Sequence, residues 1–386
     1  MKSPYISKRY WNSISTPMGE STNLLGKYPD LINLSLGDPD LNTDERIIKK
    51  AFEDALNGHT HYTDFYGVVE LRESICNFYY EEYNYKLVKE ECMITTSGCH
   101  AMWLALEAIL DDGDEVIIPS PYFTPYPQQV KLARGIPVFL ETLEEEDFQL
   151  NMDRLENLIT HRTKAIIINT PNNPTGTCLT IKTLENIASI AKKYDLLVIA
   201  DDIYTIFSYE EPFIPITSPE GMRERTITIS SFSKDYAMTG WRIGYILAEP
   251  YIINIIKDIN ENNVFTAPSI SQQAAMYAIK LRKEIQPPMI KEFKARTFTA
   301  YERLKQLKNV SILPPKGTFY LFPNIKATGL TSQEVAHRIL EEAHVMVLPG
   351  TSFGNNGEGY IRLAATVGKD KINEAFDKIA KMEIFK

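Results

Sequence analysis

The stretch AIIINTPNNPTGTCLTIKTLENIASIAKKYDLLVIADDIY, residues 165–204, decides the fold class. AIIINT at 165–170 and LLVIA at 196–200 are short apolar runs bounded by polar turns. TLENIASIAKKY at 183–194, between them, repeats its apolar residues at helical spacing. Strands apolar on both faces belong to a mostly parallel sheet that helices cover on both sides. Working outward, the pattern recurs in CMITT at 92–96, EVIIP at 115–119, IPVFL at 136–140, TITIS at 226–230 and RIGYIL at 242–247. AMWLALEAIL at 101–110 adds another helical run. The alternation predicts one large α/β domain over 46–288. Beyond it, 289–386 combines charged helical stretches with short strands at GTFYLFP and GYIRLAA, which predicts a smaller α+β domain. Only QPP at 286–288 marks the boundary, and residues 1–45 are expected to form an arm or join the small domain.

Composition narrows the function. The 386 residues suffice for two domains, and 44% hydrophobic with 24% charged residues fits a soluble globular chain. No apolar run reaches the ~18 residues that span a bilayer. The opening MKSPYISKRYWNSIST lacks the apolar core of a secretory signal. Cys76, Cys92, Cys99 and Cys178 are scattered without CxxC spacing, so a reducing cytoplasm is expected, and neither zinc nor a redox pair. A net charge of −9 disfavours nucleic acid but leaves room for a small anion held by a few cations. His59 and His61 in HTHYTD read as a surface loop ahead of a metal site, so no metal is expected.

Five motifs carry chemistry. In SSFSKDYAMTGWRIGY at 230–245, Lys234 follows a strand in a Ser-rich turn, and Arg242 opens the next strand. A lysine there becomes a nucleophile when burial and nearby cations lower its pKa. Ser231, Ser233 and Arg242 offer hydroxyls and a guanidinium fork to a phosphate. Alone, Lys234 would read as an exposed lysine near a turn. In TTSGCHAMWLALEAIL at 95–110 a strand passes directly into a helix; Gly98 lets the backbone approach a ligand closely and the N–H groups at Cys99 and His100 are free to bind an anion, although Ser-Gly is also a common helix cap. NTPNNPTG at 169–176 places Asn173 in a turn after a buried strand. ADDIY at 200–204 puts Asp201 at the end of another, either at a ligand crevice or as a cap. In EGYIRLAAT at 358–366, Arg362 sits in an apolar strand, which requires an anionic ligand or an internal salt bridge.

In this order and spacing the motifs resemble the fold type I, class I/II aminotransferases that depend on pyridoxal 5′-phosphate (PLP), in particular the bacterial aspartate/aromatic subgroup. The similarity extends from LSLGDPDLNT at 34–43 through HYTDFYGVVELRESI at 61–75 and PSPYFTPYP at 119–127 to GEGYIRLAAT at 357–366. The resemblance implies that Lys234 carries PLP as a Schiff base and then acts as the general base. It implies that Asp201 pairs with the pyridine nitrogen, that Tyr204 and Asn173 bond the phenolic oxygen, and that Phe123 stacks on the ring. Ser231, Ser233, Arg242 and the backbone at Gly98, Cys99 and His100 would hold the phosphate, and Arg362 with Gly37 the substrate carboxylate. Tyr62 would reach the phosphate of a neighbouring subunit, so a homodimer with shared sites is implied. Cys99-His100 departs from the family's usual pair, which puts a side-chain contact there in doubt. The implied reaction is ping-pong transfer of an amino group to a 2-oxo acid, with aspartate, aromatic or neutral donors and 2-oxoglutarate as acceptor. A PLP-dependent C–S β-lyase uses the same residues and is the nearest rival. A non-catalytic sensor is disfavoured, because no DNA-binding segment precedes the large domain and the acidic balance is wrong for one.

Overall fold

The computed structural model describes residues 3–11 and 28–386. In chain order its elements begin with β1 (Ile32–Asn33), α1 (Glu45–Leu56), α2 (Val69–Tyr83), β2 (Cys92–Thr95) and α3 (Gly98–Ile109). There follow β3 (Glu115–Ser120), α4 (Tyr126–Leu132), β4 (Ile136–Glu141), α5 (Met152–Leu158), β5 (Thr163–Asn169), α6 (Ile181–Lys193) and β6 (Leu197–Asp201). Next come β7 (Thr226–Ser231), α7 (Phe232–Asp235), β8 (Gly244–Leu247), α8 (Pro250–Glu261) and α9 (Ser269–Leu304). The C-terminal part holds β9 (Tyr320–Leu321), α10 (Ser332–Ala343), β10 (Val345–Met346), β11 (Leu348–Pro349), β12 (Ile361–Ala364) and α11 (Lys369–Ile379).

The expected α/β class holds. Seven strands form one sheet in the order β2-β8-β7-β6-β5-β3-β4. All neighbours are parallel except β8, which runs antiparallel to both β2 and β7. The two-faced apolarity of β5 has a direct cause. Ala165 and Ile167 join one core with Leu104, Ile118 and Ile199, while Ile166 and Ile168 join another with Leu184, Ile187 and Val198. α6 forms because Thr180 Oγ1 accepts the Thr183 N–H at 3.1 Å, because Leu184, Ile187 and Ile190 recur on one face, and because Lys192 and Lys193 sit in the last turn. Burying each of those three side chains stabilises the fold by roughly 1.5–3 kcal/mol.

The expected strand at 242–247 begins two residues later. Arg242 lies ahead of β8 with φ +52°, in the left-handed region, so the chain turns there before it extends.

A second core gathers around β11-β12-β9 and the β1-β10 pair, and contains Leu321, Ile339, Val345, Leu363 and Phe376. Ile32 and Leu34 pack into it, so the N-terminal strand sits beside the C-terminal residues. α9 runs unbroken through Pro287 and Pro288, where the sequence suggested a boundary. Among the described residues no helix is long and apolar enough to cross a membrane.

Candidate functional site

Parallel strands present their carboxyl ends on one edge of a sheet, and there ligands bind. Asn169 ends β5, Asp201 ends β6 and Ser231 ends β7. Together they open onto a cavity of about 300 Å³ that Gly37 and Tyr320 also line. Lys234, Asp201, Tyr204, Asn173, Phe123, Ser231, Ser233, Arg242, Gly98, Cys99 and Gly37 all line it. Eleven of the residues singled out from the sequence are thus brought to one place.

The anion-facing side is built from backbone. Ser97 takes φ +84°, a conformation that favours glycine, and caps α3 through its Oγ, which accepts the His100 N–H at 3.4 Å. A Cβ on Gly244 would come within 2.8 Å of the Gly98 nitrogen and the Ser230 carbonyl oxygen, so only glycine lets β8 pass the start of α3 so closely. Arg242 donates one guanidinium N–H to the Thr239 carbonyl at 2.9 Å, which fixes the fork at the cavity edge.

Two ionisable groups that line the cavity are held in unusual states. Burial lowers the Lys234 amine to about 8, and Arg242 and Arg362 add to that effect while Asp38 opposes it. Its Nζ donates to the Gly37 carbonyl at 2.6 Å. Burial raises Asp201 to about 6, against the pull of the Tyr126 hydroxyl. Tyr126 donates to Oδ2, whereas Oδ1 is buried with no hydrogen-bond partner. A buried, unpartnered carboxylate oxygen is costly unless a ligand supplies a proton to it.

Around this pair the polar groups interlock. Asn169 Nδ2 donates to the Asp201 carbonyl at 2.8 Å, and its Oδ1 accepts the Asn173 N–H at 2.9 Å. Asn173 Oδ1 in turn accepts from Arg362 Nη1 at 3.2 Å. Arg362 is fully buried, also donates to the Ser35 carbonyl, and keeps Nε without a partner. Its guanidinium carbon lies 4.6 Å from the Tyr320 ring and 4.8 Å from the Phe353 ring. Its hydrogen-bond partners are both neutral, so the anion expected beside it is not one of them.

Three of the singled-out residues do not line the cavity. Arg362 stands behind Asn173 and Tyr320, in contact with the wall. His100 directs its Nδ1 to the Thr96 N–H at 3.3 Å, and burial depresses it to about 4, so the ring is neutral. Tyr62 is 81% exposed on the outer surface, edge-on to Phe265. Conversely, the sequence reading left out Tyr126, Asn169, Tyr320, Asp38 and Thr239, which also line the cavity. Tyr126 lies in the quoted PSPYFTPYP and opens α4, with its ring edge-on to that of Phe123 at 5.5 Å.

The comparisons agree with this geometry. The family described as aminotransferase class I and II matches residues 29–379. An aspartate aminotransferase of Pyrococcus abyssi is 40% identical over 357 residues, 92% of each chain. Aromatic-amino-acid aminotransferase 2 of Thermococcus litoralis is 39% identical over 91% of each chain. The crystal structure of an aromatic aminotransferase from Pyrococcus horikoshii OT3 superposes with a TM-score of 0.89 at 39% identity, covering 93% of this chain and 97% of that one. With the match running through both cores and the cavity between them, this chain belongs to the aminotransferase class I and II family and is an aminotransferase of fold type I.

Proposed function

We propose that the enzyme binds pyridoxal 5′-phosphate in the cavity and moves an amino group between an L-amino acid, aspartate or aromatic, and a 2-oxo acid such as 2-oxoglutarate. The observation that carries this reading is the pairing, in one cavity of about 300 Å³, of a lysine lowered to about 8 with a buried carboxylate oxygen that has no partner. The residues present fit such a group. The unpartnered Asp201 Oδ1 suits a protonated ring nitrogen, and Tyr204 and Asn173, which line the same cavity, offer donors for the phenolic oxygen. Phe123 gives an aromatic face. Ser231, Ser233, Arg242 and the N–H groups of Gly98 and Cys99 suit a phosphate. The His100 N–H is already engaged by Ser97, so it is the weakest member of that set. When bound, the cofactor supplies a carbonyl for the amino group and a ring that withdraws electrons.

The chain's own residues do the rest. At a pKa near 8, Lys234 is substantially neutral at slightly alkaline pH and serves first as nucleophile, then as the base that removes the proton from Cα of the donor and, in the second half of the reaction, delivers one to Cα of the new amino acid. Arg362 exchanges its neutral partners for the substrate α-carboxylate, with Gly37 beside it. The names of the relatives support aspartate and aromatic donors. Exposed Tyr62, Phe52 and Leu56 support a second copy covering this surface, with Tyr62 contributing to the partner's phosphate site. The test is an absorbance spectrum of PLP-loaded protein before and after single amino acids without acceptor. Conversion of the long-wavelength band by aspartate or an aromatic amino acid supports the reading and identifies the donor. Release of pyruvate and ammonia from a sulfur amino acid would favour a β-lyase, and absence of any band after PLP addition would overturn it.

A further inference from the structure

Tyr320 has no part in the reading above, yet it touches both of its poles. It is 2% exposed, stands on β9 in register with Ala364 of β12, and lines the cavity. Its ring lies under the Arg362 guanidinium at 4.6 Å. Its hydroxyl is 3.0 Å from the Tyr204 hydroxyl and is packed against Gly37, where a Cβ would fall 1.7 Å from that oxygen. Burial raises both phenols, so neither ionises near neutrality and each retains one proton to donate.

We propose that Tyr320 is a positioning residue that links the carboxylate-binding arginine to the cofactor-facing phenol Tyr204. Two hydroxyls in contact can share only one of their protons. Either hydroxyl can be the donor in this contact, and the proposed link takes Tyr320 as the donor and Tyr204 as the acceptor. That leaves the Tyr204 proton free for the cavity, fixes its rotor, and strengthens its donation through the chain of hydrogen bonds. Meanwhile the Tyr320 ring holds the Arg362 fork against Phe353 on its other side. Tyr320 belongs to the C-terminal sheet and Tyr204 follows the end of β6, so the link joins the two cores across the cavity.

The inference rests on the reading that Tyr204 bonds the phenolic oxygen of the cofactor, and the experiment separates the two. PLP-loaded Tyr320→Phe, Tyr204→Phe, the double variant and Tyr320→Leu are titrated by absorbance for the pH at which the cofactor band half-converts, and KM for the donor is measured beside it. Tyr320→Phe, which keeps the ring, is expected to raise the midpoint by about half a pH unit to one unit with KM within about twofold of wild type. Tyr204→Phe should raise it at least as much, and the double variant no further. Tyr320→Leu should in addition raise KM by about tenfold through the loss of the ring under Arg362. A midpoint unmoved by Tyr320→Phe but moved by Tyr204→Phe overturns the link and leaves the role of Tyr204 standing. Additive shifts in the double variant overturn it too. If neither single variant moves the midpoint, the role of Tyr204 falls and the link falls with it.

Discussion

Asp201 makes the cofactor-free protein less stable than it could be, and the effect can be worked out. Its carboxyl is 5% exposed and titrates near 6 in the folded chain, against an ordinary value of 3.8. A carboxyl raised on folding binds its proton more tightly in the native state. The stability associated with that proton is therefore complete below pH 3.8 and is lost as pH climbs through 6. The full loss is about 3 kcal/mol at pH 8 and about half that at pH 5. Asp201→Asn removes the charge and keeps an acceptor for the Tyr126 hydroxyl, but leaves an amide N–H where Oδ1 had no partner, at a cost of about 1 kcal/mol. The variant should be more stable than wild type without cofactor by about 2 kcal/mol at pH 8 and by less than about 1 kcal/mol at pH 5. For 386 residues the unfolding entropy is of order 0.8 kcal/mol per degree, so Tm should rise by about 2–3 °C at pH 8. Thermal melts of both cofactor-free proteins at the two pH values measure this, and saturating PLP should reverse the order. A cofactor-free Asp201→Asn protein no more stable than wild type at pH 8, or a gap that widens on acidification, would refute the account of Asp201 as a buried charge awaiting a partner.

Other expectations are simpler to check. Capture of PLP by the cofactor-free protein should accelerate with pH and level off just above about 8, where Lys234 loses its proton; a rise continuing past pH 10 would contradict the lowered amine. Arg362→Lys loses the fork that holds Asn173 and the Ser35 carbonyl, and should lower kcat/KM for the donor by roughly 10- to 100-fold in steady-state assays. Thr331→Ala removes the capping box at the start of α10, in which Thr331 and Glu334 bond each other's backbone N–H. It should cost about 1 kcal/mol in urea unfolding and leave KM unchanged.

The central strands were legible because their apolar runs answer a purely local question, whether both faces are buried. The orientation of β8 and the sheet order were not, because they depend on pairings such as Cys92 with Leu247, far apart in the chain. Lys234, Asp201 and Asn173 stood out because chemistry at strand ends follows from the alternation itself. Tyr320 did not, because a tyrosine in GTFYLFP looks like core until its partner Tyr204, 116 positions away, is seen. Arg362 was flagged by the price of burying a guanidinium, but nothing local could reveal that neutral acceptors and two aromatic rings would hold it. The strand was started two residues too early, at Arg242, because a left-handed residue ahead of a strand leaves no mark in a run of apolar letters.

The unbroken α9 has a mechanical side. At 1.5 Å of rise per residue its 36 residues make a rod about 54 Å long, with one end wedged beside the large sheet and the other in the C-terminal core. Pivoted near its first turns, such a rod multiplies small rotations, so that a tilt of one degree carries its far end about 1 Å. Substitutions along Ser269–Leu304 that bend the rod would therefore be felt as altered spacing across the cavity, however far from it they lie.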